Sequence, residues 1–108
     1  MANTELPDVL REFAAKYPQV WDAYNRLGEA AAEAGPLDER TQRLVKLAIA
    51  IGAGREGAVH SHARRALKAG ITPEELLHVG LLAITTIGWS GAFAAITWIM
   101  DVLPKERA

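Results

Sequence analysis

The chain has 108 residues, half of them hydrophobic, with twelve basic side chains against thirteen acidic ones and a net charge of −1. That length suits one compact domain, and the charge balance argues against a general nucleic-acid binder, which carries a basic surplus. The complete lack of cysteine excludes disulfides, thiolate metal sites and thiol redox chemistry.

Helical periodicity begins near the N-terminus. Leu6, Val9, Leu10 and Phe13 recur at helix spacing and predict a first helix over about Leu6 to Lys16. Tyr17-Pro18 ends it, because the residue before proline avoids helical geometry. Pro18 opens a second helix to about Ala34, with Val20, Trp21, Tyr24, Leu27 and Ala31 on its apolar face, and Gly35-Pro36 stops it. Asp38 is the expected N-cap of a third helix, about Glu39 to Gly52. That helix is apolar nearly all round, as in a buried helix. After the GAG break at 52–54, a fourth helix is expected over about Arg55 to Ala69, closed by Gly70 as the C′ residue.

ITPEEL is a strong helix start: Thr72 as N-cap, Pro73 at the first helical position, Glu75 completing a capping box, and Ile71 with Leu76 as the staple. The fifth helix runs to about Thr86 or Ile87. Gly88-Trp89-Ser90-Gly91 reads as a break, and a sixth helix, about Gly91 to Leu103, is again apolar nearly all round until Pro104 and a charged tail. The expectation is an all-α, single-domain bundle of about six helices, with 1–37 as an N-terminal helical extension and 38–108 as the core. The third, fifth and sixth helices carry more apolar surface than a small monomer buries, so a homo-oligomer is expected, with its interface on the fifth and sixth. The start MANTELPDVL shows no apolar export signal, and the apolar runs fall short of the roughly 20 residues that span a bilayer. These features lead to an expectation of a cytoplasmic protein with no membrane or nucleic-acid partner.

The stretch GREGAVHSHARRALKAG, residues 54–70, holds two of the three histidines. At about 100° per residue, Arg55, Ala58, His62 and Arg65 share one helix face, and Glu56, His60 and Arg64 share another. His60 and His62 stand about 200° apart and cannot hold one metal from a single helix, and the H-E-x-x-H spacing is missing. No metal and no cofactor are expected. Glu56 and His60 at i, i+4 suit a solvated surface contact worth a few tenths of a kcal/mol as well as a catalytic pair. His78, in LLHVG, suits packing or an interface. A neutral His62 near guanidinium groups has a lowered proton affinity and suits proton transfer, while the arginines suit carboxylates. A partly buried histidine with solvated arginines fits the same spacing.

The segment LVKLAIAIGAGREGAVHSHARRALKAGITPEELLHVGLLAITTIG resembles the core of the carboxymuconolactone decarboxylase family, which includes the alkylhydroperoxidase D-like proteins. The most specific piece is H-x-R-x-A-L-x-x-G-x-[ST]-x-E-E, here His62 to Glu75. The resemblance implies an all-helical alkylhydroperoxidase D-like fold and a trimer or hexamer. The redox branch uses a glutamate, a C-x-x-C pair and a histidine. With His62 as that histidine, the resemblance places the cysteines on Arg55 and Ala58 and the glutamate on Arg43, so a cysteine-pair peroxidase is chemically impossible here. The decarboxylase branch needs no thiol and is similar in carrying a G-R-E-type segment, here Gly54-Arg55-Glu56. It implies a cofactor-free lyase acting on a carboxylated lactone or similar small anionic organic acid. Arg43, Arg55 and His60 are then expected to bind substrate, with His62 as the acid/base group and Glu56 as a weaker catalytic candidate. The alternative is a divergent enzyme, or a non-catalytic oligomeric binding or scaffold protein, of the same fold.

Overall fold

A computed structural model describes residues 7–104 as six α-helices, with no strand among the described residues. They are α1 (Asp8–Lys16), α2 (Pro18–Glu33), α3 (Glu39–Ala53), α4 (Glu56–Lys68), α5 (Pro73–Ile87) and α6 (Trp89–Val102). The expected start at Leu6 and the tail after Pro104 lie outside the described residues. The chain divides into two compact units, Met1–Pro36 and Leu37–Ala108. None of the helices is long and apolar enough to cross a membrane.

In the first unit, α1 and α2 form a hairpin whose aromatic rings run in sequence: Phe13 lies 5.3 Å from Tyr17 and 6.3 Å from Trp21, and Trp21 lies 5.9 Å from Tyr24 between ring centroids.

In the second unit, α3 to α6 pack around Leu47, Val59, Leu76 and Ile99, all fully buried. Each such side chain contributes roughly 1.5–3 kcal/mol by leaving water. Ala63, Ala66, Ala92 and Ala95 are also buried, and their small side chains let the α4 and α6 backbones approach. Gly80 does the same between α5 and α6: a Cβ there would sit 2.7 Å from Ile96 Cγ1.

The helix starts follow the local chemistry. Asp38 caps α3 by accepting from the Thr41 backbone N–H at 2.8 Å. At α5 the full capping box forms: the Glu75 N–H donates to Thr72 Oγ1 at 3.1 Å, and the Thr72 N–H donates to Glu75 Oε1 at 2.9 Å.

Two expectations are corrected. The break before α6 is one residue, not four. Gly88 alone takes a positive φ of 96°, and its carbonyl already accepts from the Ala92 N–H, so Trp89, Ser90 and Gly91 are helical. The apolar third and sixth helices are not buried all round: Ile49 is 65% exposed and Met100 57%. Four helices surround one seam, and each helix has only one side to give to it.

Candidate functional site

His62 sits in the middle of α4, half-buried, on the side that faces α3. Its proton affinity is lowered first by burial and then by three cations, Arg65 on its own helix and Lys46 and Arg43 on α3. Burial disfavours the charged imidazolium, and like charges disfavour it further. The imidazole is therefore neutral at pH 7, inside a cluster of fixed positive charge.

Arg43 is the partly buried member of that cluster. One terminal nitrogen donates to Glu39 Oε2 at 3.2 Å, one helical turn back. Its Nε is buried and has no hydrogen-bond acceptor among the described residues. A buried donor without an acceptor costs about 1–3 kcal/mol, and an oxygen-bearing anion at this point would remove that cost.

Arg55 belongs elsewhere. The helical count that put it on the face of His62 assumes a helical Arg55, but the residue is the N-cap of α4, with φ −103° and ψ 101°. It is exposed and is not among the cations that act on His62. Lys46 was missed in the sequence reading. The signal available was its position three residues after Arg43, which puts both on one face of α3.

Glu56 and His60 point away from His62 on α4, His60 about 200° round from it and Glu56 about 120° from it. His60 Nε2 lies 2.9 Å from Asp101 Oδ2 on α6. The Glu56 carboxylate reaches the same point, so that one donor atom from each of the three residues lies within 4.8 Å of the others. The sequence candidates thus separate into two groups, His62 with Arg43, and His60 with Glu56.

An apolar groove of about 490 Å³ runs between α3 and α5, lined by Leu44, Val45, Ala48, Leu82 and Ala83, with Glu75 and the exposed His78 among its polar groups. His62, Arg43 and Arg55 are not in its walls. Counting about 100° per residue, Leu44, Val45 and Ala48 occupy the face of α3 opposite to Arg43 and Lys46. The groove is therefore separate from the cluster around His62.

Residues 18–101 match the family described as "Carboxymuconolactone decarboxylase family". An uncharacterised protein of Methanocaldococcus jannaschii is 31% identical over 91 residues, 83% of this chain and 84% of that protein. An uncharacterised protein of Haemophilus influenzae is 40% identical over 55 residues, 51% of this chain. That match spans only 49%, about half, of the Haemophilus protein's length. Among solved structures, the apo form of a carboxymuconolactone decarboxylase family protein from Legionella pneumophila is similar with a TM-score of 0.70 and 25% identity, over 85% of this chain and 81% of that one.

Proposed function

We infer the function from one premise: the chain belongs to the carboxymuconolactone decarboxylase family. Its lack of cysteine leaves the thiol-free chemistry of that family. We propose a lyase that removes carbon dioxide from a carboxylated lactone or a closely similar small organic acid. The observation that carries this reading is the buried, acceptor-free Nε of Arg43 beside a neutral His62 and the cations Lys46 and Arg65.

Each step of such a reaction has a group to serve it. The substrate carboxylates are held by Arg43, Lys46 and Arg65, with the arginine fork supplying paired N–H donors. As the bond to the leaving carboxylate breaks, its electron pair moves through the ring double bond to the lactone carbonyl oxygen. The same cations stabilise that oxyanion, because they are fixed before charge develops. One proton, taken from water, is then added at carbon. His62 carries it, since the neighbouring cations make its imidazolium form a ready donor. The balance is one carboxylate and one proton in, carbon dioxide and a C–H bond out. Glu56, His60 and Arg55 have no role in this reading. The exposed apolar residues on α3, α5 and α6 support the further proposal that the working form is a homo-oligomer.

Carbon dioxide release from 4-carboxymuconolactone tests the reading. The wild type is expected to turn over, and His62→Ala to lose about 10²- to 10⁴-fold in kcat, the usual worth of a proton-transfer group. Arg43→Ala is expected to raise KM as well. An inert wild type, or a His62→Ala enzyme with unchanged kcat, overturns the proposal.

A further inference from the structure

Three of the titratable side chains that the chemistry above leaves unused meet at one place. Glu56 and His60 lie one turn apart on α4, and Asp101 comes from the last turn of α6. His60 Nε2 is 2.9 Å from Asp101 Oδ2, and the donor atoms of all three lie within 4.8 Å of one another. We propose that Glu56, His60 and Asp101 form a binding site for one divalent transition-metal ion of the zinc–cobalt type, clamping α4 to α6.

The donor set argues for this class of ion. One imidazole nitrogen with two carboxylate oxygens suits zinc and its neighbours, whereas magnesium and calcium prefer oxygen alone. Three protein ligands leave a further position for water, as in open zinc sites. Zinc–ligand bonds of about 2.0–2.2 Å place donors roughly 3.4 Å apart in a tetrahedron. The His60–Asp101 pair is already closer than that, and the carboxylate of Glu56 sits on an exposed side chain that has room to close the remainder.

Charge argues for it too. Two carboxylates face one imidazole, and among the described residues neither is ion-paired with an arginine or lysine. Adjacent like charges repel, and a dication at their centre removes the repulsion. The His60–Asp101 contact alone would explain a tie between two helices, but it does not explain the second carboxylate. Helix spacing within α4 gives no metal pair and leaves only His78 and carboxylates to complete a site; the fold supplies such a carboxylate in Asp101, 41 residues beyond His60.

The test uses the full chain with any histidine tag removed, titrated with Co²⁺ and followed by its visible d–d bands, with Zn²⁺ as competitor. The wild type is expected to bind one equivalent and to melt at a higher temperature with the ion than without it. Glu56→Gln, His60→Gln and Asp101→Asn are each expected to weaken binding by at least the roughly tenfold that loss of even an outer ligand partner costs. His78→Ala is expected to bind as the wild type does. Circular dichroism of each metal-free variant checks that it is folded. A wild type without d–d bands overturns the proposal, as does a folded Glu56, His60 or Asp101 variant that binds as tightly as the wild type.

Discussion

His62 is surrounded by positive charge, and two consequences follow at the scale of that residue. Its folded-state proton affinity is depressed by burial and by Arg65, Lys46 and Arg43. The unfolded chain therefore takes up the proton first as pH falls. The stability contributed by neutral His62 is fully present above its ordinary value of 6.5 and is lost as pH drops below that towards the lower folded value. An anion bound by the same cations reverses their effect and pushes the histidine back up. Histidine-resolved NMR titration with and without a small carboxylate lactone is expected to show an upward shift at His62 and none at His78. A His62 titration unmoved by saturating anion would separate the cations from the binding site.

At the scale of the element, α5 is the best-anchored helix start. Thr72 and Glu75 satisfy each other's backbone N–H groups, and Arg40 donates to the same carboxylate at 2.5 Å. The Arg40 hydrogen bond is the main reason the Glu75 carboxyl titrates at about 2, with the Thr72 backbone N–H next. The bridge also joins the first turn of α3 to that of α5, where Glu75 is part of the groove's polar lining. Thr72→Ala is expected to cost about 1 kcal/mol, read as a lower denaturant midpoint with an unchanged slope. A Thr72→Ser variant keeps the hydroxyl and is expected to restore most of it.

At the scale of the molecule, the second unit keeps its largest side chains in one seam and leaves apolar groups outside. Leu82 is 60% exposed on α5 and Trp89 61% at the start of α6, where it stacks on Phe93 at 5.1 Å. The proposed homo-oligomer would cover such apolar groups. Sedimentation is expected to give a multiple of the chain mass. Leu82→Glu is expected to lower that mass while the helical signal stays, because the side chain takes no part in the buried core. A wild-type particle of one chain mass at assay concentration would contradict this.

The sequence by itself determined the six helices, their caps at Asp38 and Thr72, the turn glycine Gly70, the absence of thiol chemistry and the family. These are local or compositional features: a cap satisfies N–H groups three residues away, and an apolar stripe repeats every turn. Tertiary structure alone decided which side chains meet. It set Lys46 beside His62, brought Asp101 to His60 and left Glu56 pointing away from the cations. Helix period orders residues around one axis, but the rotation and crossing of one helix on another come from packing their buried faces. In this chain those faces are shaped by small residues such as Ala63, Gly80 and Ala95, whose spacing gives no warning of which polar groups they will bring together.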